Sequence, residues 1–327
     1  MVAGRRLALL SSACLAALSA GFQGWHGRPA PDGLEAKEWL LRSLSSARAI
    51  DVSAVVLTRF GPREVEAKVR IEQSRQGLTR HTVLEPPMAA GSVTVDDGQT
   101  WWSYLPMAKR IFVQDSPRRH QDLPSYQVAL ACQNYELRLR PGPPVAGRRT
   151  LRVVAIPRSR EMPIRDHFLD RETAYLLRLI VVQPDGVRKT PLDTLEVNFS
   201  PRLDIKSLRE LPADVQTVRM DSPKRLARPS DARRDAGFIP IVPKELPFGF
   251  IVKELQLVGP KDRRFVATRL VDGLTTVTVY QWRPVPGRKG WPYEMPFFRE
   301  AEGVRLTLVG DVPKGVSDAL LDAFVRN

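Results

Sequence analysis

Between Glu64 and Glu72 the chain alternates without a break. Val65, Ala67, Val69 and Ile71 fall on one side of an extended chain, and Glu64, Glu66, Lys68, Arg70 and Glu72 on the other. A period of two cannot be accommodated by a helix; it calls for a strand with one face buried and one wetted. The segment before it, Val52, Ala54, Val56 and Thr58 interleaved with Ser53, Val55, Leu57 and Arg59, is apolar on both sides, and Gly61-Pro62 between the two reads as a hairpin turn. Arg80–Glu85 reads as a further strand. Asp96-Asp97-Gly98 turns into Gln99–Leu105, and Arg110–Gln114 pairs back after Pro106-Met107-Ala108-Lys109. The pattern predicts an antiparallel meander.

Further strands are expected at Tyr135–Arg140, Thr150–Pro157, His167–Asp170, Tyr175–Gln183 and Asp193–Ser200, with a helix over Leu123–Tyr135 and an excursion from the sheet at 201–212. An earlier helix is expected to start at Asp32, an N-cap with Glu35 three places on, and to end near Arg48. Leu34, Leu40, Leu41, Leu44 and Ala47 would form its buried side. Residues 221–238, charged and carrying Pro223 and Pro229, read as a linker. A small unit then begins at Ile239. It has strands at Phe250–Leu257, Arg263–Asp272, Thr275–Trp282 and Val304–Val309, a turn at Asp272-Gly273, and a last helix from Pro313 to Val325 with Val316, Ala319, Leu320 and Phe324 inward. The expected class is α+β: 34–220 forms a large unit built on a long antiparallel sheet, and 239–327 a small one.

The first twenty residues set the compartment. Arg5 and Arg6, an apolar run from Leu7 to Leu18, and small residues at Ala17, Ser19 and Ala20 have the layout of a secretory signal peptide. Cleavage after Ser19 or Ala20, lipidation at Cys14 and an uncleaved anchor are the three routes this leaves open; 21–33 would be a flexible start. The chain carries +14, or +12 without Arg5 and Arg6. Such a charge favours anionic partners. Nucleic acid fits the charge but not the compartment. If residues 1–20 are removed, Cys132 remains without a disulfide partner.

Catalytic patterns do not emerge. The four histidines, His26, His81, His120 and His167, have no zinc-ligand spacing with one another or with cysteine. There is no phosphate-binding Gly-rich loop and no Gly-x-Ser-x-Gly elbow. Asp96, Asp97, Asp170 and Glu172 sit at turns, where aspartate serves the backbone. The expectation is a binding protein, without cofactor, metal or catalytic residues.

Two groups of residues are candidates for binding. Val52, Ala54, Val56, Val65, Ala67 and Val69, with Trp101, Trp102 and Tyr104, could line an apolar groove on the sheet; they suit a plain sheet core equally well. Trp101 points opposite to Trp102 and Tyr104 on a strand. Lys109, Arg110, Arg118 and Arg119 form a basic cluster suited to a headgroup or acidic peptide, or to bare solvent. Trp282, Trp291, Tyr293, Phe297 and Phe298 flank or occupy a Pro-rich loop and are candidates for partner contact or for local packing.

Several phrases carry a family resemblance. Asp96-Asp97-Gly98-Gln99-Thr100-Trp101-Trp102-Ser103-Tyr104-Leu105-Pro106 followed by Lys109-Arg110 resembles the periplasmic regulators of an envelope-stress sigma factor, the MucB and RseB proteins. Leu169–Arg178 resembles a strand-turn-strand of that family and of the lipoprotein carrier LolA. Pro247-Phe248-Gly249-Phe250, Val271-Asp272-Gly273-Leu274, Thr276–Tyr280 and Leu308–Pro313 resemble the family's small C-terminal domain. The resemblance covers nearly all of the mature chain in order; the 283–303 loop matches no phrase of it. It implies a LolA-like curved half-barrel with helices on its open side. Its apolar interior would take acyl chains of a lipoprotein or lipopolysaccharide. The small domain would help hold the periplasmic part of a membrane anti-sigma factor, shielding it until ligand releases it. Membrane contact would be peripheral or none. The alternative that the same fold implies is a periplasmic carrier of lipoproteins or lipid.

Overall fold

The computed structural model describes residues 31–46, 49–60, 65–120, 123–261, 263–287 and 298–326. Two sheets organise them. The larger has twelve strands: β1 (Val52–Phe60), β2 (Val65–Gln73), β3 (Thr79–Glu85), β4 (Val93–Asp96), β5 (Thr100–Leu105), β6 (Arg110–Asp115), β7 (Tyr135–Val145), β8 (Arg148–Pro157), β9 (Ile164–Asp170), β10 (Leu176–Val182), β11 (Arg188–Asn198) and β12 (Gln216–Arg219). Their order is β12-β6-β5-β4-β3-β2-β1-β11-β10-β9-β8-β7, antiparallel at every pairing except β12 with β6. The meander is thus folded so that β1 and β11 meet at its centre, with Ala54 opposite Val197. The smaller sheet holds β13 (Lys224–Leu226), β14 (Ile251–Val258), β15 (Phe265–Val271), β16 (Thr276–Trp282), β17 (Arg299–Ala301) and β18 (Val304–Val309), in the order β13-β14-β15-β16-β18-β17.

Helices α1 (Pro31–Ser46) and α2 (Pro124–Asn134) pack over the β7–β9 end of the larger sheet, where Ala36, Leu40, Val128, Ala131 and Cys132 meet Leu137, Val153, Ala155 and Leu169. α1 begins at Pro31, a residue suited to a first helical turn, one residue ahead of the expected start at Asp32. Its buried side is Ala36, Leu40 and Ser43, spaced four and three apart, and Leu34 is 55% exposed, contrary to expectation. The short α3 (Ile205–Arg209) covers the far part of the sheet. Asp204 caps it, accepting from the Lys206 amide at 3.0 Å. α5 (Lys314–Val325) lays Val316, Leu320 and Phe324 on the smaller sheet, as its period predicts.

The stretch 221–238 is packed structure, not a linker. β13 pairs with β14 from Lys224↔Leu257 to Leu226↔Leu255; the short α4 (Arg233–Ala236) follows, and Leu226, Ala232 and Phe238 enter the small core. The charged residues Arg225, Arg228, Arg233 and Asp235 crowd this segment, and its three inward positions lie six residues apart, too sparse to show a strand or helix period. β12 and β17 were likewise not expected; at four and three residues they are too short to show a period. The Gly61-Pro62 turn, Ala47 and Arg48 lie outside the described residues.

Candidate functional site

Register assigns the faces of the larger sheet. Residues directly opposite in a ladder project to the same side. Ala54 pairs with Ile71, Ile71 with His81, His81 with Thr94, and Thr94 with Ser103. In the other direction Thr58 pairs with Leu192, Leu192 with Leu179, Leu179 with His167, His167 with Val153, and Val153 with Leu139. One face therefore carries Val52, Ala54, Val56, Ala67, Val69, Ile71 and, two places from Ser103, Trp101; α1 and α2 pack on that same face. Trp102 and Tyr104 project to the opposite face, against Val93, Val95 and Leu208 under α3. The nine groove candidates accordingly cannot line one groove.

On the inner face Val52, Ala54, Val56, Ala67, Val69 and Ile71 form one apolar cluster with Val83, Tyr175, Val197 and Phe199, and none of the six is more than 8% exposed. Val65 shares their parity but sits at the strand end, 46% exposed. Trp101 is 5% exposed. The inner face also carries His81 and His167, whose imidazoles burial pushes down to about 4 and about 3.

The basic cluster divides. The Arg118 guanidinium donates to the carbonyls of Gly77 and Asp96, both at 2.7 Å, and to the Asp96 carboxylate at 3.0 Å, so it clips the β4–β5 turn and is not available to a headgroup. Asp96 and Asp97 do the backbone work expected of turn aspartates, accepting from the amides of Gly98, Gln99 and Thr100. Arg119 pairs with Asp115 at 3.1 Å. Lys109, left-handed at φ 47, and Arg110 are exposed. In the small unit Trp282 is 1% exposed and belongs to the packing, while Phe298 lies exposed beneath the Arg305 guanidinium at 4.3 Å. Trp291, Tyr293 and Phe297 lie outside the described residues.

The seam between the two units holds residues that the sequence marked as turn and strand phrases but not as binding candidates. The turn after β15 inserts into the large unit. Asp272, 1% exposed, accepts from its own turn amides at Leu274 and Thr275, both at 2.7 Å, and from the Tyr135 hydroxyl at 2.6 Å. Arg165 of β9 donates to the Thr275 hydroxyl at 2.9 Å. Asn134, the last residue of α2, donates its amide to the carbonyls of Gly249 and Asp272. Side chains are exchanged as well: Leu274 is buried in the cluster under α1 and α2, and Met162 of the large unit is buried in the small core. Burial raises the Asp272 carboxyl above its ordinary value against the pull of Tyr135, the turn amides and Arg165. Beside these contacts lies a cavity of about 270 Å³ lined by Asn134, Arg158, Ser159, Met162 and Phe248 among others. The signal in the sequence was present but ambiguous: Asp272-Gly273 reads as a turn, and only the apolar Leu274 after it hints that the turn is buried.

Among the described residues no group of three or more His, Cys, Asp or Glu side chains could hold a metal ion, and no helix is long and apolar enough to cross a membrane. Cys132 is buried and its thiol is pushed far up by desolvation, which leaves it inert.

No family model matches the chain, and no curated protein is significantly similar to it. Solved structures are. The crystal structure of MucB is 18% identical with a TM-score of 0.59, over 89% of this chain and 97% of that one. MucB in complex with MucA(peri) is 18% identical with a TM-score of 0.61, over 88% and 97%. The complex structure of Pseudomonas aeruginosa MucA/MucB is 19% identical with a TM-score of 0.61, again over 88% and 97%. At this identity the likeness establishes a shared α+β fold, and its coverage takes in both sheets. The resemblance read from the sequence phrases is carried at that level.

Proposed function

We propose that this chain is an exported, non-enzymatic regulator that holds the periplasmic part of a membrane anti-sigma factor and lets go when a lipidic ligand binds. The observation that carries the reading is the end-to-end match of both units to MucB, which has also been solved in complex with MucA(peri). Under this reading 34–220 is a LolA-like half-barrel, the Val52–Ile71 face is its interior, and acyl chains of lipoprotein or lipopolysaccharide are its ligands. The small unit, whose chain starts at β13, supplies the second half of the partner surface. Lys109 and Arg110 are the exposed cations left for a headgroup or acidic segment. The inner face is packed shut in this state, so ligand and partner would prefer different states, as linkage requires.

The second reading is a periplasmic carrier of lipoproteins or lipid. The small unit speaks against it, because a carrier has no evident use for a second sheet docked through a buried carboxylate. The test is mass spectrometry of what crosslinks to the tagged mature protein in its native envelope. One membrane protein with a cytoplasmic sigma-binding segment is the expected catch. Diverse lipoproteins or lipids without it would replace the regulator with the carrier.

A further inference from the structure

The small unit touches the larger sheet at both of its ends. In the order β12-β6-β5-β4-β3-β2-β1-β11-β10-β9-β8-β7 the two edge strands are β12 and β7. The chain leaves the sheet from β12 at Arg219 and re-enters structure in β13 at Lys224. The four residues between span at most about 18 Å. They are tied down: Met220 donates its amide to the Val113 carbonyl at 2.8 Å, and the Asp115 amide donates to the Ser222 hydroxyl at 3.1 Å. At the other edge Tyr135 is the first residue of β7, and with Asn134 and Arg165 it receives the Asp272–Thr275 turn. Arg165 pairs with Ala155 and Tyr135 shares the parity of Leu137, so the turn enters on the face that carries α1, α2 and the Val52–Ile71 cluster.

We propose that the small unit is a clasp across the open sheet, hinged at 220–223 on the β12 edge and latched by the Asp272–Thr275 turn on the β7 edge. Release of the latch gives an acyl chain access to the inner face. The second half of the proposal rests on the lipid reading above; the first half does not.

The two attachments differ in kind. The hinge is covalent. The latch is a small set of contacts between parts that keep their shape without it. The turn is preformed, because β15 and β16 pair from Val266↔Gln281 to Val271↔Thr276 and Asp272 binds its own turn amides. The receiving end is held by the long β7–β8 ladder, from Tyr135↔Pro157 to Val145↔Arg148. Undocking therefore removes the Tyr135, Asn134 and Arg165 contacts and uncovers Leu274 and Met162, while both ladders stay whole. A unit fixed at both edges of one sheet limits how far those edges can separate. Freed at one edge, it no longer does, and the sheet can open above its inner face. Whatever binds the small unit and whatever enters the larger sheet are then coupled through this turn.

The test uses the full mature chain with spin labels on cysteines placed at Glu136 and Val309, both exposed; the native Cys132 is buried. Distances are measured by pulsed electron resonance in the parent and in Leu274→Asp, which puts a charge into the socket. Uptake of a pyrene-labelled sixteen-carbon fatty acid is followed in the same samples. The parent should give one narrow distance; the variant should give a longer, broader one and take up the probe at least tenfold faster. An unchanged distance overturns the latch. A longer distance with unchanged uptake leaves the clasp standing and removes acyl-chain entry as its purpose. Should Leu274→Asp fail to fold by circular dichroism, Tyr135→Phe combined with Thr275→Ala is read by the same criteria.

Discussion

Gln281 of β16 takes the place of a strand for Ile241. Its Oε1 accepts from the Ile241 amide and its Nε2 donates to the Ile241 carbonyl, both at 2.9 Å, while Nε2 also donates to the Thr268 hydroxyl at 2.9 Å. The side chain is fully buried and imitates the paired donor and acceptor of a neighbouring backbone. It is what ties the chain arriving from α4 onto the small sheet.

Gln281→Leu fills nearly the same volume and strands an amide and a carbonyl away from water. Each stranded group costs about 1–3 kcal/mol. We expect the variant to lose roughly 2–4 kcal/mol in urea unfolding of the small unit. A loss under about 1 kcal/mol would mean that the 239–241 segment finds other partners.

How much of this was legible beforehand follows from where each signal resides. β2 announces itself because Lys68, Arg70 and Glu72 alternate with Val69 and Ile71 within a single strand, and such local periods survive in any fold. The face on which Trp101 or Trp102 lies depends on the register of four successive ladders, which no local pattern encodes. The pairing of Tyr135 with Asp272 joins residues far apart in sequence, and a buried carboxylate at a turn looks the same in sequence as an exposed one. β13 was lost because its inward Leu226 stands alone among arginines.

Gly249 tests the seam from the small unit. Its φ is +72, and a Cβ there would collide with the Asn134 side-chain amide. Gly249→Ala carries about 1–2 kcal/mol for the left-handed backbone alone. It should also displace Asn134 from the Gly249 and Asp272 carbonyls. The expected result is faster hydrogen exchange in 130–135 and 272–275, with the ladders of β1 and β2 unchanged. Unchanged exchange in both segments, or exchange rising throughout, would contradict the local role given to Asn134.

Acid should weaken the large unit through its histidines. His167 is fully buried and neutral in the fold, with its pKa pushed down to about 3, whereas in the unfolded chain it takes a proton near 6.5. The unfolded state binds more protons between those values, so stability falls as pH drops below 6.5. Between pH 7 and pH 5 His167 accounts for about 2 kcal/mol of that loss; His81, at about 4, acts in the same direction. His167→Leu should flatten the slope of urea midpoint against pH over this range. An equal slope in the variant would show that the titration lies elsewhere.

Asp272 has the opposite sign. Its carboxyl is raised by burial, so the folded state holds a proton that the unfolded state, at about 3.8, has released. Its contribution is greatest below the unfolded value and declines as pH rises through the folded one. Asp272→Asn removes this dependence. The parent's advantage over the variant should therefore shrink as pH rises above about 3.8, measured as the gap between their urea midpoints; a constant gap would count against a raised carboxyl at the seam.

The two adjacent tryptophans separate the faces of the sheet in one experiment. Trp101 lies on the inner face with the Val52–Ile71 cluster, and Trp102 lies beneath α3 with Val93, Val95 and Leu208. Bromine on an acyl chain quenches indole only at short range, so a brominated fatty acid seated on the inner face should dim Trp101 and spare Trp102. Two variants, each keeping one of these two residues and carrying phenylalanine at the chain's other tryptophan positions, make the comparison direct. Quenching of Trp101 alone by at least half at saturation is expected if lipid enters the inner face. Equal quenching of both would indicate binding to an exterior surface or to a loosened chain. Quenching of Trp102 alone would move the ligand to the α3 side of the sheet, where Trp102 packs with Val93, Val95 and Leu208.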